Sequence, residues 1–215
     1  MSNTSQTNLK HPHFNSDQSL IEAAIEDAPS SRPQPQKVVN ALANLEKAGK
    51  KATIAEGNQK LLGQWRLHFI TGTKKTRQRA GIMLGAGRYL PKWIKIQFSY
   101  AQTPDLTLSE AEAGGVENSV KIGALKLTLS GPTKFFPKQK LLAFDFTAFT
   151  LQLGNKVLYS GKMRGGDNSR DLFYQEPIKK QAFFRYFLIE EDYVAARGRG
   201  GGLALWRRER EGQKG

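Results

Sequence analysis

From Leu61 onward the apolar residues recur at every second position, a period that selects β-strands over helices and governs what the rest of the chain can build. The segment Trp93 to Ala101 shows it best. Ile94, Ile96, Phe98 and Tyr100 fall on one face and Lys95, Gln97 and Ser99 on the other, so one face is wet and one is buried. Between Lys140 and Leu153 the apolar phase slips, from Leu142, Phe144 and Phe146 to Phe149, Leu151 and Leu153, which predicts a bulge or bend of the kind that turns a barrel corner. A second slip falls between Ile122 and Leu125, and Gly154-Asn155 reads as a hairpin turn. Residues 164–182 read as a long polar loop, after which strands are expected at Phe183–Ile189, Tyr193–Arg197 and Leu203–Arg208. About eight strands over residues 61–208 predict a mainly β chain folded as an antiparallel barrel, a size that fills its own interior or holds one small ligand.

The region before the barrel has a different period. Leu20, Ile21, Ala24 and Ile25 follow helical spacing, as do Val38, Val39, Leu42 and Leu45, with the proline-rich Pro29–Pro35 between them. Two short amphipathic helices are expected within residues 17–60, after a polar, disordered tail over 1–16. A second polar tail is expected over 209–215.

Charge narrows the partners. Of the net +14, residues 61–215 carry +13, enough to attract an anionic membrane leaflet, nucleic acid or an acidic protein face. No apolar run approaches the roughly 20 residues of a spanning helix. The N-terminus has neither an apolar signal core nor an arginine-rich leader, so the chain reads as uncleaved, and soluble or peripheral. With no cysteine there is no disulfide framework, thiolate metal site or thiol nucleophile. The three histidines, His11, His13 and His68, form no metal-binding or catalytic spacing, and Asp145 reads as a solvent-facing carboxylate. A non-enzymatic role without obligatory cofactor follows.

Two glycine-rich segments bear on binding. Gly81-Ile-Met-Leu-Gly85-Ala-Gly87 reads as a flexible loop at the barrel mouth, surrounded by Lys74, Lys75, Arg77, Arg79, Arg88 and Lys92 and interleaved with Leu90 and Trp93. Mixed apolar and cationic side chains suit an anionic lipid surface, and equally an ordinary solvated loop. Arg197-Gly-Arg-Gly-Gly-Gly202 reads as a tight connection rather than an RNA-binding tract, and a scarce aromatic–basic platform disfavours nucleic acid.

The opening Leu61-Leu-Gly63-Gln-Trp65-Arg-Leu and the closing Phe187-Leu-Ile-Glu-Glu-Asp192-Tyr-Val-Ala-Ala-Arg197-Gly198 resemble the plastid-lipid-associated proteins, or fibrillins, of chloroplasts and cyanobacteria. The likeness spans about Leu20 to Arg208, with Val194 standing where the family usually has a further arginine and without the family's usual first aspartate in the Phe187-Leu-Ile stretch. It implies a lipocalin-like barrel, peripherally associated with thylakoids or lipid droplets, in a cyanobacterial cytoplasm or chloroplast stroma. It also implies a bound carotenoid, quinone or lipid, with Gly63, Trp65, Asp192, Arg197 and Gly198 as the barrel-closing motif and Arg197 over the Trp65 indole. An apolar interior of Ile94, Ile96, Phe98, Phe144, Phe146, Phe184 and Leu188 would hold that ligand. Anionic thylakoid lipids are the expected partner; the alternative is a scaffold with a filled barrel that docks on a photosynthetic membrane complex.

Overall fold

The computed structural model describes residues 12–26, 28–49, 59–75, 82–108, 110–163 and 167–209. Two helices, α1 (Pro12–Ile25) and α2 (Pro35–Gly49), precede eleven strands: β1 (Gly63–Lys75), β2 (Ile82–Tyr89), β3 (Ile94–Thr107), β4 (Glu112–Ile122), β5 (Leu125–Phe136), β6 (Leu141–Phe144), β7 (Ala148–Leu153), β8 (Lys156–Lys162), β9 (Ala182–Ile189), β10 (Tyr193–Gly198) and β11 (Leu203–Arg208). A third helix, α3 (Asp167–Gln175), sits between β8 and β9. The first helix starts ahead of the expected boundary, at Pro12.

Eight strands close a ring in the order β1, β11, β10, β9, β6, β5, β4, β3, every pairing antiparallel. This is the eight-stranded barrel that the period-two pattern predicts. Three strands lie off the ring. Strand β2 pairs with the distal half of β1, and the β7–β8 hairpin continues from β5 beyond the ring. Strand β5 is therefore shared: Thr133–Phe136 pair with β6, whereas Leu125–Ser130 pair with β7. The bend expected between Phe146 and Phe149 is the break at Asp145–Thr147 that separates these two pairings. Gly131 permits it, since a Cβ there would lie 2.1 Å from the Asp145 carbonyl oxygen.

The slip between Ile122 and Leu125 is a hairpin turn rather than a bulge. Gly123 takes the left-handed conformation at φ +59, and Ile122 pairs directly with Leu125. The expected flexible loop at Gly81–Gly87 is, from Ile82 on, part of strand β2, which pairs with β1 from Phe69 outward. The expected loop at 164–182 contains α3, whose Phe173 is buried against Leu141 and Ala143 of β6. The Lys134 ammonium, desolvated by burial so that its pKa is lowered, donates to the carbonyls of Phe173 (2.8 Å) and Glu176 (2.9 Å) at the end of α3.

Two cores lie on opposite sides of one wall. Inside the barrel are Trp65, Phe98, Tyr100, Val116, Phe135, Leu142, Phe144, Tyr186, Val194, Ala196 and Trp206. Outside it, the cross-strand row Phe69, Leu205, Ala195 and Leu188 meets Ile21, Val38, Leu42 and Leu45 of the two helices. Register shifts create that second core. One extra residue, His68 on β1 and Phe187 on β9, reverses the inward phase of its strand. Leu188, expected inside on the phase of Phe184, therefore points outward, and Ile189 takes the inward place beside Val194.

Candidate functional site

The two ends of the barrel are built differently. At the first, the expected tryptophan is buried and its indole donates to the Leu61 carbonyl at 2.8 Å. The guanidinium over it belongs to Arg208, 4.1 Å from the ring centre, and not to Arg197. Arg208 also donates to the carbonyls of Glu191 (2.5 Å), Leu62 (2.8 Å) and Lys60 (2.7 Å). One side chain thus ties the last strand to the entry of the first. Gly63 fits between them at φ +108, with the Arg208 guanidinium where a Cβ would crowd it.

Arg197 has another task. Its guanidinium forms a forked ion pair with Glu46 of α2, at 2.7 and 2.5 Å, and donates to the Gly201 carbonyl. The Glu46 hydrogen bond outweighs burial and raises its pKa further. It anchors the helical layer, and Gly198 and Gly201 make the turn beneath it, Gly201 at φ +88. Asp192 is exposed in the turn before β10, where its carbonyl accepts from the Arg208 backbone N–H.

Across the middle the lumen is filled by aromatic rings. Phe98 on β3 and Phe184 on β9, four strands apart whichever way the ring is counted, meet at 6.1 Å between ring centres. Phe184 stacks on Phe144 at 5.2 Å, Phe144 contacts Phe146 at 5.4 Å, and Trp206 meets Phe184 edge-on at 5.2 Å. Tyr186 closes the layer, its hydroxyl pKa driven up by burial and, secondarily, by Tyr100. Of the expected ligand-lining residues, Phe98, Phe144, Phe146 and Phe184 thus pack on one another.

Beyond this layer the sheet remains apolar while losing its cover. Register on β3, β4, β5 and β7 defines three cross-strand rows on the inward-facing side: Phe98, Asn118, Leu129 and Phe149; then Ile96, Val120, Leu127 and Leu151; then Ile94, Ile122, Leu125 and Leu153. Eleven of these twelve positions are apolar, and exposure grows outward. Phe98 is buried, whereas Ile122, Leu125 and Leu153 are 47, 44 and 51% exposed. Trp93, 66% exposed, flanks the rim; on β8 Tyr159 pairs with Leu151 and extends the apolar face, whereas the exposed Val157 pairs with Gln152 on the reverse. Among the described residues, every exposed large hydrophobic side chain except Leu172 lies either on this apron or on the turn and hairpin that flank it. A patch of this kind marks a contact surface.

On the opposite face of the same strands Lys95, Lys121 and Lys126 stand in one cross-strand row, next to the outermost apolar rows. Like charges placed directly opposite repel, so this row costs stability unless an anion meets it. Lys95 is offset by Glu209 at 2.9 Å. Lys156 and Lys92 stand exposed at the hairpin tip and beside Trp93.

The expected basic cluster is only partly visible. Arg88 is exposed on β2 and Lys92 in the turn before β3. Lys74 and Lys75 pair through their backbone with Met83 and Ile82, their side chains lying outside the described residues, as do Arg77 and Arg79 altogether. Sequence reasoning missed Ile122, Leu125, Leu127, Leu153, Lys121 and Lys126. Their signal was the alternation Leu125-Lys-Leu-Thr-Leu, apolar on one face and basic on the other, once Gly123 is read as a turn. Among the described residues no group of three or more His, Asp or Glu side chains is placed to hold a metal, and no helix is long and apolar enough to cross a membrane.

Comparisons with protein-family models, curated proteins and solved structures return no match for this chain.

Proposed function

We propose that the protein is a non-enzymatic, peripheral lipid-associated protein that docks the open end of its barrel on an anionic membrane surface. The observation that carries this reading is the joint placement of Ile122, Leu125 and Leu153 at the rim with the lysine row on the reverse of the same strands. Apolar tips entering the headgroup region gain about 1.5–3 kcal/mol for each fully buried leucine. Each lysine near an anionic leaflet adds about 1 kcal/mol, an attraction that salt screens. The likeness of the opening and closing motifs to fibrillins adds the location, a photosynthetic membrane, and the ligand class, a carotenoid, quinone or lipid.

Co-sedimentation with vesicles tests it. Vesicles containing about one third anionic lipid should retain the protein at low salt and release it as salt rises, while zwitterionic vesicles should bind weakly. Replacing both Leu125 and Leu153 with Asp should reduce retention more than a hundredfold with the fold intact. Equal binding of that variant and the parent would reject this surface as the docking site.

The aromatic layer favours one further reading, a scaffold whose lumen is its own core and whose apron and lysines face an acidic membrane protein complex. In that case protein-free vesicles fail to bind at any salt, whereas membranes carrying the complex do bind.

A further inference from the structure

Asn118 is the one polar residue among the twelve positions of the apron, and it stands in the innermost row, between Phe98 and Leu129. Its Oδ1 is buried and has no hydrogen-bond partner. A carbonyl oxygen left so is destabilising, a liability that a valine or leucine at this position would not carry. Outward from it run only apolar side chains: Val120 and Ile122 along its own strand, with Ile96, Leu127 and Leu151 alongside. The residue as a whole is half-buried, and rotation about Cβ–Cγ presents either edge of the carboxamide to the apron.

From this juxtaposition we infer that the apron seats a neutral amphiphile with its polar end inward. A hydroxyl or N–H of the ligand donates to Asn118 Oδ1, and its apolar body lies outward over Ile96, Val120, Leu127 and Leu151 toward the rim. An ionised head group is excluded, because none of the twelve positions supplies a counter-charge and the penalty of desolvating a carboxylate there exceeds the stabilisation from burying its chain. The ligand class is an alcohol or amide on an apolar chain, delivered head first from a lipid phase. The inference rests on the proposed docking surface only for that delivery; the seat is tested in solution.

The probes are 1-decanol, decanoate and 1-chlorodecane, which share one chain length and differ in the terminal group. Calorimetry should show 1-decanol binding at least tenfold tighter than either of the others. In nitrogen-15 spectra, 1-decanol should shift the side-chain amide resonance that disappears in Asn118→Leu. That variant should lose about tenfold in affinity for 1-decanol and nothing for 1-chlorodecane. Without ligand it should melt at the same temperature as the parent or higher, since the orphaned oxygen is gone. Equal binding of 1-decanol and 1-chlorodecane to the parent, or an unmoved Asn118 amide resonance, overturns the inference; the first reading uses the parent protein alone and stands whether or not the variant folds. Vesicle retention of Asn118→Leu should match the parent, so failure of the seat and failure of the docking surface appear in different assays.

Discussion

One end of this barrel is sealed by a single cation on an indole, and the other is left open with its core residues in view. At the sealed end Trp65, Gly63 and Arg208 satisfy one another, with three backbone carbonyls held by one guanidinium. At the open end Leu125, Leu153 and Ile122 bury little and the Lys121–Lys126 pair is repulsive. The same alternating sequence builds both, so alternation alone is not evidence of a core. What separates them is whether an element crosses over the end: the helical turn at Gln59–Leu61 and the 190–192 turn do so at the first, and no described residue does so over the apron.

If that division is correct, substitutions at the two ends should differ in kind. Arg208→Ala should have the largest effect on stability, about 2–4 kcal/mol by chemical denaturation, since it removes the stack and strands three carbonyls. Vesicle affinity of the folded fraction should be unchanged. Replacing Lys121 and Lys126 together with Gln should do the reverse, lowering affinity for anionic vesicles about thirtyfold at low salt, equivalent to about 2 kcal/mol, with stability equal or slightly higher. Arg197→Ala should cost about 1–2 kcal/mol through loss of the partly exposed Glu46 pair and loosen α2 without opening the sealed end; faster hydrogen exchange confined to α2 would show it. The smallest effect concerns Glu190, in the turn at the sealed end. Burial, reinforced by Glu22 and opposed by Lys60, raises its pKa above the ordinary carboxylate value. The folded state then holds its proton to higher pH than the unfolded state does, so stability falls as pH rises from 4.5 through the raised pKa. Glu190→Gln should flatten that slope by about a few tenths of a kcal/mol.

The mainly β class, the eight-stranded ring and the Gly63-x-Trp65 entry were readable because strand period and turn glycines act locally; the three strands off the ring were not counted. What depended on register was not. Leu188 faces outward because one extra residue at Phe187 reverses the phase, and no local signal marks that residue in Phe-Phe-Arg-Tyr-Phe-Leu-Ile. Arg197 and Arg208 both lie near the C-terminus, and only the pairing Trp65↔Arg208 decides which of them reaches the indole. Helix α3 escaped because its nine residues bury a single aromatic, Phe173, in a polar stretch. The apron was half read: Ile94, Ile96 and Phe98 were expected inside, yet exposure of their neighbours is a property of the whole sheet.

Strand β5 divides its edge between β6 and β7 at the Asp145–Thr147 break, so the closed ring and the projecting hairpin have no ring strand in common except β5. The hairpin is therefore a module. Residues 148–162 could be lengthened, shortened or exchanged without removing a ring hydrogen bond, and changes there would tune how far the molecule reaches while leaving untouched what keeps it folded. A chain organised in this way can acquire new targets by varying one appendage.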